Sequence, residues 1–178
     1  NKYYQTGDED IILPQPQKAE GIWRFGAEKG YPIHQYLYAK ELDKEGKKEE
    51  AFQWHERAAK NGQKDSWYYV GLAYEEGKLF PKNCSYAAQC YEKGLKPSGS
   101  IGCYNRLGVL YFKGDGVPQD YEKAVKLLTQ AYEEENNWGV VYLAEAYFKG
   151  LGVRQDYIKA RELLDNITWN NENANYMK

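Results

Sequence analysis

Two histidines, His34 and His55, and three cysteines, Cys84, Cys90 and Cys103, carry the side chains best suited to bind a metal or attack a carbonyl. Their spacing supports neither task. Zinc sites draw their ligands in close pairs of the C-x-x-C or H-x-x-x-H kind, and no such pair occurs here. No serine or cysteine sits in a nucleophile motif. His34 falls near the start of a predicted helix, and His55 reads as an exposed or half-buried helix residue. The cysteines read as small buried hydrophobes. The acidic run Glu133 to Glu135 reads as a solvated helix end. Gly114-x-Gly116 and Gly150-x-Gly152 each follow a predicted helix, whereas phosphate and dinucleotide loops follow a strand. The sequence therefore names no catalytic residue, no cofactor and no metal ligand. A hydrolytic enzyme remains only as the alternative from a different class.

Composition narrows the field further. The formal net charge is −2 over 178 residues, so there is no basic field to gather phosphates and nucleic acid is not the expected partner. No apolar run is long enough to span a bilayer. Aromatic residues make up 16% of the chain, with 18 tyrosines and 5 tryptophans. Much of that must be core, and some is readable as binding surface, because tyrosine and tryptophan favour interfaces as well as cores. The chain opens at Asn1 without methionine. The expectation drawn from this is a processed start, with a signal or lipid-anchor segment removed.

The elements that position these residues announce themselves by repetition. "YFKGDGVPQDYEKA", Tyr111 to Ala124, returns as "YFKGLGVRQDYIKA", Tyr147 to Ala160, with 11 of 14 positions identical. Stepping back from Ala160 and Ala124 finds Ala87, Ala51 and Ala19, at intervals of 36, 37, 36 and 32. A second series, Ala39, Gly71, Gly108 and Ala144, follows the first by 20, 20, 21 and 20 residues. Two anchors per period define two helices per unit, here A and B. Helix A carries stripes at i, i+3, i+4 and i+7: Trp67, Val70, Gly71, Tyr74; then Tyr104, Leu107, Gly108, Tyr111; then Val140, Leu143, Ala144, Tyr147. The small residue in each stripe lets a neighbouring helix approach. Gly114 and Gly150 fall where a left-handed C-cap is needed, and Gly116 and Gly152 are read as extending that freedom. Asp120 and Asp156 stand where they can cap helix B. Tyr121, Ala124 and Leu128, repeated as Tyr157, Ala160 and Leu164, form its buried stripe.

The pattern L-G-x-x-Y-x-x-G-x-G-V-x-x-D-x-x-K-A at a period near 36 resembles the Sel1-like repeat, a relative of the tetratricopeptide repeat. The two clear copies cover about 104–166. The copy at 67–95 departs by placing Asn83 where the capping Asp belongs, and the copy at 35–62 is shorter, with Gly46 in its turn. The resemblance implies an all-α, right-handed α-solenoid of about four helix-turn-helix units. One repeat domain is expected over 1–166, with units near 1–30 (partial), 31–62, 64–96, 100–135 and 136–166. Residues 167–178, with Trp169 and Tyr176, are expected to form a cap or tail.

The resemblance also places helix A on a concave face. Counted from the small anchor, Tyr36, Tyr68, Asn105 and Val141 precede it by three; Leu37, Tyr69, Arg106 and Tyr142 precede it by two; Lys40, Leu72, Val109 and Glu145 follow it. This mixture suits an interface centre, although several of the tyrosines are equally readable as packing against the next unit. The stretch "KPSGS" at 96–100 and the helix ends are further contact candidates. Some Sel1-like proteins of bacterial secretory compartments carry interhelical disulfides, which would make Cys90 with Cys103 the pair to examine. The implied function is protein binding without catalysis. Its readings are an immunity or inhibitor protein that neutralises a secreted bacterial toxin such as a phospholipase effector, an adaptor in signalling or envelope assembly, or part of a longer scaffold. A periplasmic or envelope-associated location goes with the first, a cytoplasmic one being the alternative.

Overall fold

The computed structural model describes the backbone of residues 16–95 and 100–176 and the side chains of 21–95 and 100–166. All regular structure among these residues is helical: α1 (Pro16–Glu28), α2 (Pro32–Lys44), α3 (Lys48–Lys60), α4 (Asp65–Glu76), α5 (Cys84–Gly94), α6 (Ile101–Lys113), α7 (Tyr121–Glu133), α8 (Val140–Lys149) and α9 (Tyr157–Tyr176). The expected helix A is α2, α4, α6 and α8, and the expected helix B is α1, α3, α5, α7 and α9. Packing divides the chain into two compact units, 1–66 and 67–178.

In the first unit, α2 packs between α1 and α3. Pro32 opens α2, where its fixed φ and missing N–H cost nothing. The small core is Ala27, Tyr38, Leu42 and Ala51, flanked by Trp23 and Trp54, with the Tyr38 and Trp54 rings edge to face at 5.5 Å. His55 belongs to this interior, contrary to its reading as an exposed or half-buried residue. It is buried on α3, and its Nε2–H donates to Asp43 Oδ2 at 3.1 Å. Burial pushes the imidazole pKa down, and the Asp43 carboxylate only partly offsets that.

In the second unit, Tyr91, Leu107, Leu110, Leu128, Leu143 and Leu163 are fully buried. The expected caps are in place: Asp120 Oδ1 accepts from the Lys123 N–H and Asp156 Oδ1 from the Lys159 N–H, both at 2.9 Å. Asn83 performs the same task, accepting from the Tyr86 N–H at 3.0 Å, so the departure at that position keeps the cap. Cys84, Cys90 and Cys103 are all buried, as their reading as small hydrophobes expects.

The two glycines of each G-x-G do different work. Gly114 ends α6 at φ 71° and Gly150 ends α8 at φ 72°, as expected for left-handed caps. Gly116 is also left-handed, at φ 74°, but it has a second duty. A Cβ there would lie 2.4 Å from the backbone carbon of Cys84 and the backbone nitrogen of Ser85. Gly152 stands over Tyr121 and Glu122 in the same way, with 2.4 Å to the Tyr121 carbon. The second glycine therefore seats the end of one helical hairpin on the first turn of the preceding helix B.

The buried stripe expected in the last helix needs correction. Ala160 is buried, but Tyr157 and Leu164 are exposed and Leu163 takes the interior position. In α7, Leu128 is covered because α8 follows; past α9 no further helix of the described residues covers Leu164. The α9 backbone runs unbroken to Tyr176. The capping role expected of Trp169 and Tyr176 falls outside the described side chains, residues 1–15 fall outside the described residues, and so does most of "KPSGS".

Candidate protein-binding face

The twelve helix-A positions expected to contact a partner do not act alike. Tyr36, Leu37 and Lys40 lie on α2 in the first unit and are half-buried. The Tyr36 ring stands edge to face with His55 at 5.9 Å, and the Lys40 ammonium lies 5.4 Å from that ring.

In the second unit the positions separate by row. Of those three before the anchor, Tyr68 and Asn105 are joints to the segment that follows. Tyr68 of α4 lies against Gly102 of α6, where a Cβ would come within 2.6 Å of the Tyr68 ring. Asn105 is 2% exposed, and its amide donates to the Asn136 carbonyl at 3.2 Å and to the Asn136 side chain. Val109, from the row after the anchor, is buried as well. Asn105 and Val109 are thus corrections: the segment leading into α8 covers Asn105, Val109 belongs to the core, and neither presents a side chain to a partner. Val141 and Glu145 hold the equivalent places on α8 and stay accessible, Val141 at 56%. Glu145 pairs with Lys149 at 2.7 Å. Leu72 is half-buried.

The row two before the anchor remains on the surface. Tyr69, Arg106 and Tyr142 are each half-buried. Arg106 is the centre of a built cluster. Its guanidinium pairs with Glu75 of α4 at 3.3 Å, and the Glu75 carboxylate also accepts from the Tyr91 hydroxyl at 2.6 Å. Burial works against the Arg106 charge, but Glu75 and the Tyr68 hydroxyl outweigh it and hold the group ionised. The other face of the guanidinium lies over the Trp138 ring, 4.0 Å from its centre. Trp138 is half exposed and was not singled out from sequence, although a tryptophan in the polar stretch "ENNWGV" was the available signal. Tyr68 and Tyr69 meet edge to face at 5.2 Å, and Tyr142, four residues after Trp138, lies beside Phe112 and the Lys113 ammonium. The result is an aromatic and cationic surface running from Tyr69 through Arg106 and Trp138 to Tyr142. No group of three metal-binding side chains occurs among the described residues.

The model of the Sel1 repeat matches residues 36–63, 67–96, 102–136 and 140–165, more than half of the chain. The chain belongs to the Sel1 repeat family. Sel1 repeat proteins mediate protein–protein interaction as scaffolds and are not typically enzymes. Among solved structures, a protective antigen of uropathogenic Escherichia coli strains with an SLR fold shares 30% identity and a TM-score of 0.72, over 81% of this chain and 32% of that one. A Sel1 repeat protein from Oxalobacter formigenes matches at 23% identity and a TM-score of 0.77, over 89% of this chain and 64% of that one. A Sel1 repeat protein from Klebsiella pneumoniae subsp. pneumoniae matches at 22% identity and a TM-score of 0.62, over 81% of this chain and 70% of that one. This Sel1 repeat chain thus spans about a third of the first protein and under two thirds of the second. No curated protein matches it by sequence. The fold shared with these structures is an all-α repeat fold.

Proposed function

We propose that this chain is a non-catalytic module that holds a partner protein on the surface formed by Tyr69, Arg106, Trp138 and Tyr142. The carrying observation is the Arg106–Trp138 stack. Trp138 is half exposed yet fixed from below by a guanidinium that Glu75 anchors. Arginine and the large aromatics dominate interface energetics, and a pre-ordered pair loses little side-chain entropy on binding. The finer reading, an immunity or inhibitor protein for a secreted bacterial toxin in the periplasm or envelope, is supported by the family resemblance alone. The adaptor reading shares the same surface.

The test is capture of partners from lysate and secretome on the immobilised chain, with Tyr69, Trp138 and Tyr142 jointly replaced by alanine as control. One stoichiometric partner lost in the variant supports the surface. A partner retained by the variant moves the site elsewhere. Loss of a captured toxin's activity at equal stoichiometry supports the inhibitor role; unchanged activity favours the adaptor.

A further inference from the structure

The sequence places glycine directly after asparagine at Asn61-Gly62, where Asn61 caps the C-terminal end of α3. This dipeptide carries its own chemistry. A backbone nitrogen can attack the side-chain carbonyl of the asparagine before it, and glycine offers that nitrogen with no Cβ in the way. Asparagine is among the thermolabile residues. Both residues are exposed. Gly62 is left-handed at φ 99°, and a Cβ on it would meet nothing within 4 Å, so the space beside it is open.

Hydrogen bonds across the first unit hold the two reacting atoms apart. The Gly62 N–H donates to the Ala59 carbonyl at 3.1 Å, which keeps the nitrogen in the last turn of α3. The Asn61 side-chain amide donates to Gln35 Oε1 of α2 at 2.9 Å. Gln35 is 4% exposed, and its own amide donates to the Ala27 carbonyl of α1 at 3.3 Å. A single series of bonds thus ties α3 to α2 and α2 to α1. Its direction is fixed from one end. The Ala27 carbonyl can only accept, so the Gln35 amide must face it, Gln35 Oε1 must face Asn61, and residue 61 must supply a donor.

We infer that Asn61 is a site of spontaneous deamidation and that Gln35 is the catch that restrains it. When the last turn of α3 opens, the Gly62 nitrogen bonds to Asn61 Cγ, the Cγ–Nδ2 bond breaks, and ammonia leaves with the Gly62 proton. Water then opens the cyclic imide to aspartate or isoaspartate. The product cannot resume the old arrangement. An ionised carboxylate has no proton to donate, so it meets the lone pairs of Gln35 Oε1. Gln35 cannot turn over without setting that oxygen against the Ala27 carbonyl. Residue 61 also stands at the negative end of the α3 dipole, where a new negative charge is unfavourable. The conversion therefore unties the joint between α1, α2 and α3 irreversibly.

The test incubates the full chain in mildly alkaline buffer made with heavy-oxygen water, which labels each new carboxylate, and follows residue 61 by peptide mass mapping. A synthetic peptide of residues 57–66 gives the unrestrained rate. Asn61 is expected to convert in the folded chain, more slowly than in the peptide. Gln35→Met, which keeps the side-chain length and removes the bond, is expected to speed conversion about fivefold, the effect of one net hydrogen bond. Leu42→Ala weakens the same core without touching Asn61 and separates the catch from general loosening. Equal acceleration in the two variants, or a folded-chain rate equal to the peptide's, overturns Gln35 as the catch. No conversion at Asn61 in the folded chain long after the peptide is exhausted overturns the site. Asn61→Asp is expected to lower the melting temperature and shift the Gln35 side-chain amide resonance; a variant unchanged in both overturns the untying. Neither the peptide comparison nor Asn61→Asp depends on Gln35→Met folding.

Discussion

Arg106 shows why a residue picked from sequence as contact surface cannot be treated as surface alone. Its charge is spent half inside the protein, on Glu75, and half outside, under Trp138. Arg106→Ala leaves the Glu75 carboxylate poorly compensated, and the expected cost is about 2 kcal/mol, read as a lower melting temperature. Trp138→Ala loses only a stacking contact and is expected to cost under about 1 kcal/mol. Equal losses in the two would refute this division. His55 makes a prediction in pH. The folded state lowers its pKa, so the unfolded chain binds the proton more readily and stability falls as pH drops through the unfolded-state value of about 6.5. Asp43 adds to the loss further down: burial alone would raise its pKa, but hydrogen bonds from His55 and Lys48 outweigh it and hold it below the usual range. His55→Gln should flatten the melting-temperature profile between about pH 7 and 5.5; an unchanged slope would place the titration elsewhere. The sequence showed which residues were aromatic or charged, but not that Asn105 and His55 were enclosed. Enclosure depends on Asn136 and Asp43, 31 and 12 residues away, and no local pattern records those meetings.

At the scale of elements the sequence was far more legible. Helix spacing, the two caps and the left-handed glycines depend on residues a few places apart, and these were read correctly from "YFKGDGVPQDYEKA". The unequal burden on the two glycines was not readable, because the atoms that crowd Gly116 belong to another helix. That inequality is testable. Gly114→Ala meets mainly backbone strain, about 1–2 kcal/mol, since its Cβ would lie 3.1 Å from the Gln119 side chain. Gly116→Ala meets the same strain and a collision with backbone at 2.4 Å, and should lower the melting temperature clearly more. Similar effects in both would remove the seating role. Gly108→Leu should also destabilise, by about 1–3 kcal/mol or more, because even a Cβ there stands 2.8 Å from the Leu128 side chain. The last stripe failed for an element-level reason: periodicity names the face a helix can bury, but only a following helix buries it. Leu164 has the right spacing but no covering helix among the described residues.

Across the whole molecule, stability in such repeats is a sum over nearest neighbours. Helix α7 packs against both α6 and α8, whereas α9 has α8 as its packed neighbour among the described residues. Hydrogen exchange should therefore be fastest in α9 and slowest in α6 and α7; uniform protection would mean that the second unit opens as one block. The period near 36 was legible from sequence because it is written in residues that serve each joint. One joint has a longer consequence. The second glycine of G-x-G rests on main-chain atoms, at Cys84–Ser85 in one case and Tyr121–Glu122 in the other. Main chain is the same whatever side chains it carries. A hairpin bearing that glycine therefore fits the back of any helix-B start, with no matching change required in its host. Tandem duplication of the coding segment can lengthen or shorten such a chain in one step, and each copy is then free to diverge at Tyr69, Arg106 and Tyr142 while the joint holds.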